Sequence, residues 1–201
     1  KQVHDEKIDR VLVIGMGGSS LTAEVLSSLL VNFNIEAKLS LAILDSTDPA
    51  QVAETVKNYP PDKSLYILAS KSGGTAELLA AFDYVWELSG KNGSRFLVTT
   101  DAGTSLQKLA EERGFRKVFN ADPNVGGRFS ALTDFGLVPA ALLGMDFEKL
   151  LGSADRMRSQ SLEHVPAARN PGVALGALIA ESALMGRDKL TVLADAPVSA
   201  L

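Results

Sequence analysis

The chain has 201 residues, room for one ample domain or for a domain and part of another, and its 46% hydrophobic and 22% charged residues are ordinary for a soluble globular protein. Its formal net charge of −4, with no long run of either sign, excludes the broad basic face that nucleic acid binding needs. The absence of cysteine excludes disulfides, thiolate catalysis and cysteine-ligated metals, and the apolar runs are too short for a membrane span.

No signal-peptide pattern is read, so a soluble, cytoplasmic protein is expected, with no membrane partner. The chain starts at Lys1 rather than Met, so a piece excised from something longer is expected.

Residues 1–9 read as a polar entry segment, in which His4 has no partner motif. RVLVIG, Arg10–Gly15, reads as an apolar strand; the GMGGSS loop and a helix over TAEVLSSLLVNF follow. Lys38–Ser46 reads as a second strand. Asp48-Pro49 then opens a helix through Asn58, which Pro60-Pro61 ends. Leu65–Ala69 has the length and branching of a buried strand, breaks into Ser70-Lys71-Ser72-Gly73-Gly74-Thr75, and resumes as a helix over Ala76–Leu88. Ser94–Thr100 reads as a fourth strand, Asp101–Arg113 as a helix closed by Gly114, and Arg116–Asn120 as a short fifth strand. From Ala131 the pattern is helical until an apolar strand over Asp188–Ala196.

Strands alternating with helices at short connections predict an α/β fold, a doubly wound five-stranded parallel sheet covered on both faces through right-handed crossovers. Ligands of such folds gather at the carboxyl ends of the strands, near the switch in strand order. The site is therefore expected among the loops GMGGSS, DSTDP, ASKSGGT, TTDAGT and NADPNVGGR. A lone last strand would be an exposed edge, so Asp188–Ala196 is expected to open a second sheet. The expected organisation is an α/β sandwich over 1–125, a helical segment carrying the Gly-Gly-Arg loop over 126–187, and the first strand of a truncated second domain over 188–201.

The stretch SKSGGT has the makings of an anion cup. The first N–H groups of a helix lack partners, its dipole is positive there, and Ser70, Ser72 and Thr75 add hydroxyl donors around two glycines. Ser and Thr are also ordinary N-caps, but three hydroxyls and Lys71 within six residues exceed what capping requires. GMGGSS invites a dinucleotide reading. It places Ser20 where the third fingerprint glycine belongs, and Asp45 lies 30 residues beyond Gly15 instead of about 20. Gly17 and Gly18 then either permit a tight turn or admit a ligand close to the backbone, with Ser19 offering its hydroxyl. In NVGGRFSALTDFGL, Arg128 is placed either to stabilise a developing oxyanion or to pair with a carboxylate such as Asp134. Glu24, Glu77 and Asp101 read as carboxylates at helix starts, where the dipole favours them, and Glu77 is also placed to order the cup. His164 and Glu181 read as surface residues.

Together VIGMGGSSL, ASKSGGTAE and above all VGGRFSALTDFGL resemble the phosphoglucose isomerase family of the sugar-isomerase (SIS) superfamily, over nearly the whole chain. The SKSGGT form departs from that family's commoner SKTFTT and is similar to the branch fused to transaldolase, as is DKLTVLADAPVSAL at the end. The resemblance implies a flavodoxin-like SIS domain followed by the start of a second, and interconversion of glucose 6-phosphate and fructose 6-phosphate through a cis-enediol without metal or cofactor. It implies Gly18 and Ser19 as sugar contacts, and Ser70, Ser72 and Thr75 as phosphate-binding hydroxyls with Lys71 between them. It also implies Arg128 as the group that steadies the enediolate. The general base would be a glutamate in a segment expected beyond Leu201, and a homodimer is expected of the full-length protein. By itself the chain is then expected to bind phosphate and turn over little. The competing expectation is a non-catalytic sugar-phosphate-binding regulatory SIS domain, against which the Gly-Gly-Arg-Phe-Ser stretch argues.

Overall fold

A computed structural model of the chain describes residues 6–33, 35–195 and 198–199; His4 and Ala196 lie outside them. The described chain parts into two compact units between Met145 and Asp146.

The first unit is built on five parallel strands, β1 (Arg10–Gly15), β2 (Ser40–Leu44), β3 (Ser64–Ala69), β4 (Phe96–Asp101) and β5 (Lys117–Ala121), in the order β2-β1-β3-β4-β5. The register pairs Arg10 with both Ser40 and Ser64, and carries Gly15 opposite Ala69. Every residue of β3 is buried, whereas the edge strands β2 and β5 have partly exposed residues. This is why β3 reads as an unbroken apolar run rather than an alternation.

Alternate residues of each strand serve opposite faces. Leu12, Ile14, Tyr66, Leu68, Phe96 and Val98 meet α2 (Pro49–Asn58), α3 (Ala76–Leu88) and α4 (Ser105–Glu112) through Val56, Phe82, Trp86 and Leu106. Phe82 stands edge-on to Phe96, with ring centroids 5.6 Å apart and planes at 85°, the orientation that aligns a ring's positive edge with its neighbour's negative face. On the other face Val11, Val13, Leu65, Ile67 and Leu97 meet α1 (Leu21–Asn32) and α5 (Asp134–Leu143) through Ala23, Phe135 and Val138. Three of the four crossover helices lie on one face, so α1 alone would leave the far end of the other bare. The returning α5 covers it, and the first unit accordingly runs through Met145.

The described strands and helices fall close to those read from sequence. One displacement matters: Asp101 closes β4 instead of opening a helix, and α4 begins only at Ser105. Thr104 caps it by accepting from the Gln107 N–H at 3.2 Å, while Gln107 Oε1 accepts from Gly103 N–H at 2.7 Å. This is a capping box in which the glutamine reaches one residue further back than the cap itself.

The second unit holds α6 (Phe147–Gln160) and α7 (Pro171–Leu184), capped by Asp146 and Asn170. Asn170 is buried; its Oδ1 accepts from Val173 N–H and its amide donates to the Leu162 carbonyl. Of the segment expected as a strand over Asp188–Ala196, residues 188–195 make no strand pairing among the described residues. An apolar run becomes a strand only where a neighbour takes up its backbone N–H and C=O groups, and Leu190, Val192 and Leu193 remain exposed. Among the described residues no helix is long and apolar enough to cross a membrane.

Candidate functional site

The switch in strand order lies between β1, from which the chain winds out to β2, and β3, from which it winds the other way. The loops that leave these two strands are GMGGSS and SKSGGT, so the topology sets the two glycine-hydroxyl loops side by side at the carboxyl edge.

Within SKSGGT the hydroxyls of Ser70 and Thr75 lie 2.8 Å apart, and Ser70 Oγ also accepts from the Gly73 N–H at 3.2 Å. Ser72 Oγ, exposed, accepts a longer bond from Gly74 N–H at 3.4 Å. Gly73 has φ +71 and packs so closely on α4 that a Cβ there would meet Thr104 Cβ at 2.7 Å, which requires glycine on both counts. Its carbonyl accepts from Ser105 Oγ at 2.9 Å. The TTDAGT loop thus supports the cup from behind.

The N-termini of α1 and α3 differ from the others. Thr75 occupies the N-cap of α3 but its side chain accepts from no helix N–H, because Thr75 Oγ1 is engaged with Ser70. Ser20, the N-cap of α1, likewise makes no side-chain cap bond; its hydroxyl donates to the Gly17 carbonyl at 3.2 Å. The remaining described α-helices are all capped by side chains, from Asp48, Thr104, Thr133, Asp146 and Asn170. The two helices aimed at the switch point therefore keep their positive ends open, the arrangement that suits an anion. Glu24 and Glu77 do lie in the first turns of α1 and α3, both exposed; Glu77 makes no bond to the cup.

The third element is the turn Gly127–Leu132, which carries Arg128. It leans on the first loop so tightly that a Cβ on Gly18 would sit 2.7 Å from the Gly127 carbonyl oxygen and 2.9 Å from its carbon. Ser130, buried, fastens the contact: its hydroxyl lies 2.7 Å from the Gly127 carbonyl and 3.4 Å from that of Gly18. Arg128 is exposed, and among the described residues its guanidinium has no hydrogen-bonded or ionic partner. Of the two readings open for Arg128, pairing with Asp134 is therefore not what the structure adopts. Ser19 is half-buried in the same corner.

Lys71 stands apart from its neighbours. Its ammonium turns away from the cup hydroxyls to Asp101, lying 2.9 and 2.8 Å from the two carboxylate oxygens, and to the carbonyls of Asp122 at 3.2 Å and Pro123 at 3.3 Å. Lys71, expected among the phosphate-binding residues of the cup, thus holds a carboxylate and two backbone carbonyls of neighbouring loops. Ser130 is passed over in the sequence, where the serine of Gly-Gly-Arg-Phe-Ser lies inside the motif but reads with no role, and Asp101, read there as a carboxylate at a helix start, instead closes β4 and holds Lys71. Glu181 is exposed on α7 and His164 is exposed beyond α6. Among the described residues no cluster of His, Asp and Glu is arranged to hold a metal ion.

This fold and much of this sequence recur in known proteins. The chain is 38% identical over 165 residues to the glucose-6-phosphate isomerase of Carboxydothermus hydrogenoformans, an alignment covering 76% of the chain and 35% of that protein. Among solved structures it superposes on a hypothetical protein from Thermus thermophilus with TM-score 0.79 at 29% identity, covering 90% of the chain and 44% of the other. The glucose-6-phosphate isomerase of Chlamydia trachomatis shares the fold, with TM-score 0.71 at 22% identity over 81% of the chain and 32% of that structure. The chain thus spans about a third of the length of the curated relative it matches. Its α/β sandwich is the SIS fold, and the phosphoglucose isomerase family model matches residues 1–194. The chain belongs to the phosphoglucose isomerase family.

Proposed function

We propose that this chain is the phosphate-holding half-site of a glucose-6-phosphate isomerase, which interconverts glucose 6-phosphate and fructose 6-phosphate through a cis-enediol. The observation that carries the reading is the pair of uncapped helix N-termini, α1 and α3, opening together at the switch point beside an unpaired Arg128. In this reading the phosphate sits at the N-terminus of α3, where Ser70, Ser72, Thr75 and the first backbone N–H groups donate to its oxygens. Gly18 and Ser19 border the sugar, Gly18 through its backbone and Ser19 through its half-buried hydroxyl.

Moving a proton between the first and second carbons puts negative charge on the oxygens of the enediol as it forms. A planar, permanently charged guanidinium held near them stabilises that charge without itself changing protonation. Arg128 has that role here; its freedom from protein partners leaves its donors available to the substrate. A glutamate outside these residues is the general base. Glu181, exposed on the second unit's helix, is a surface residue in this account.

The test is Arg128→Ala in the full-length protein. The expected result is a fall in kcat of about 10²-fold or more, the scale for loss of one oxyanion donor, with a smaller rise in KM. An unchanged kcat with only KM raised would make Arg128 a ground-state ligand and sink its assignment. Titration with fructose 6-phosphate and with inorganic phosphate should show both bound. A protein that binds them yet lacks isomerase activity at full length would be the regulatory alternative.

A further inference from the structure

Lys71 is the one residue of the cup whose charge is spent inside the protein, and what it holds is informative. Its backbone carbonyl accepts from Asp101 N–H at 3.2 Å while its ammonium returns to the Asp101 carboxylate, so residues 71 and 101 are locked reciprocally. The same ammonium reaches the carbonyls of Asp122 and Pro123, the first two residues after β5. Those residues begin the loop that ends in Arg128, and Asp122 stiffens it by accepting from both Asn124 N–H and Asn124 Nδ2. The far end of that loop is fastened to Gly18 through Gly127 and Ser130. The loop is thus tied at its start to the β3 cup and at its end to the β1 loop.

We propose that Lys71 is a positioning residue: by clamping Asp101 and the Asp122 and Pro123 carbonyls, it fixes the 122–128 loop against the phosphate cup and so sets where Arg128 stands relative to the bound substrate. The proposal rests on the sugar-phosphate reading above. Lys71 and Asp101 are three-quarters or more buried, with 25% and 20% of their side chains exposed. An ion pair so sheltered is poorly screened, and both partners are needed to keep either satisfied. A displacement of about 1 Å at a group that acts in the transition state costs on the order of 10²-fold in rate. The clamp therefore influences chemistry more than affinity.

The experiment compares Lys71→Gln and Asp101→Asn with the full-length parent. It reads kcat and KM for fructose 6-phosphate, the urea midpoint, and hydrogen exchange at the amides of Val125 and Phe129, which bond to the Asp122 and Gly126 carbonyls inside the loop. Both variants are expected to lower kcat at least tenfold with KM within about threefold, and the double variant to be no worse than the singles. Exchange at Val125 and Phe129 should quicken at least tenfold while the amides of β1 and β3 keep their protection. A Lys71→Gln that raises KM at constant kcat, with Asp101→Asn lowering KM because the freed ammonium reaches phosphate, would overturn the proposal in favour of a direct ligand. A lower urea midpoint with parental kcat, KM and loop exchange would also overturn it, leaving a pair that only stabilises the fold. A parent that fails to turn over fructose 6-phosphate sinks the isomerase reading, while unaltered loop exchange in the variants sinks the clamp itself; the two failures are read on separate instruments.

Discussion

Gly18→Ala tests whether the contact between the first loop and the Gly127–Arg128 turn sets the site's geometry. The added methyl would lie 2.7 Å from the Gly127 carbonyl oxygen and 2.9 Å from its carbon. Both obstacles are backbone, so no side chain can swing aside. Reaching ordinary contact at about 3.4 Å needs the two loops to part by about 0.7 Å. Overpacking of this kind costs about 1–3 kcal/mol, which for a unit of this size lowers Tm by about 2–12 °C at roughly 2–4 °C per kcal/mol. The larger effect is expected in activity, because the displaced element carries Arg128. A shift approaching 1 Å costs on the order of 10²-fold, so kcat/KM for fructose 6-phosphate should fall tenfold or more in the full-length protein. Gly90→Ala is the matched control. Gly90 has φ +65 with open space around its absent Cβ, so alanine there strains the backbone by about 1–2 kcal/mol without pressing on any loop of the site. Scanning calorimetry and a coupled isomerase assay on both variants give the comparison. If Gly18→Ala melts early but keeps parental kcat/KM, as Gly90→Ala should, the contact is structural and the argument fails.

Two further expectations concern the cup and the core. Ser70→Ala removes the 2.8 Å bond to Thr75 and leaves the buried Gly73 N–H without its acceptor; the cost should be about 1–3 kcal/mol in urea unfolding, with weaker binding of inorganic phosphate by calorimetry, and unchanged phosphate affinity would remove Ser70 from the site. Tyr66 is fully buried in β3, and burial raises its phenol pKa far above the usual 10 while its OH donates to the Tyr59 carbonyl at 2.8 Å. The folded state then holds a proton that the unfolded chain releases, so stability is complete below about pH 10 and falls above it by up to about 1.4 kcal/mol per pH unit. Tyr66→Phe should lose about 1 kcal/mol at neutral pH and flatten that alkaline limb; an equally steep limb in the variant would assign it to other groups.

The sheet is legible in the sequence because its signal is redundant. Each of β1, β3 and β4 is an apolar run that ends at glycine or hydroxyl residues, and burial on two faces demands that composition. The shape of the cup is legible for a different reason, since three hydroxyls among glycines at a strand-to-helix turn have few other uses. What escapes the sequence is the set of relations between loops far apart in it. Nothing in SKSGGT says that Lys71 will find a carboxylate thirty positions on, and Asp101 reads equally well as the first acid of a helix. Of the segment read as a strand over Asp188–Ala196, residues 188–195 make no strand pairing among the described residues, since hydrophobicity marks a segment that needs cover without naming the neighbour that provides it. Arg128 reads from sequence as a choice between a carboxylate partner and a free guanidinium, and only coordinates separate the two.

The position of Arg128 follows from how the sheet's second face is covered. Right-handed crossovers in the order β2-β1-β3-β4-β5 put only α1 on that face, leaving Ile67, Leu97 and Phe119 to be buried by something later in the chain. The chain does this with α5, whose Phe135 and Val138 reach them. To arrive there from the end of β5 it must recross the carboxyl edge toward β1, passing over the switch point on its way. Residues 122–133 make that passage, pinned by Lys71 where they leave β5 and by Gly18 where they meet the first loop. A hydrophobic requirement of the fold therefore carries an arginine past the loop that leads into α1. The glycine that lets the crossing segment touch the β1 loop is Gly18, whose Cβ would meet the Gly127 backbone, whereas Gly127 itself has open space where a Cβ would stand. Lengthening the 122–126 stretch by one residue should then leave the sandwich's melting transition intact while isomerase activity of the full-length protein collapses; parental activity in that variant would show that the crossing's length does not set the place of Arg128.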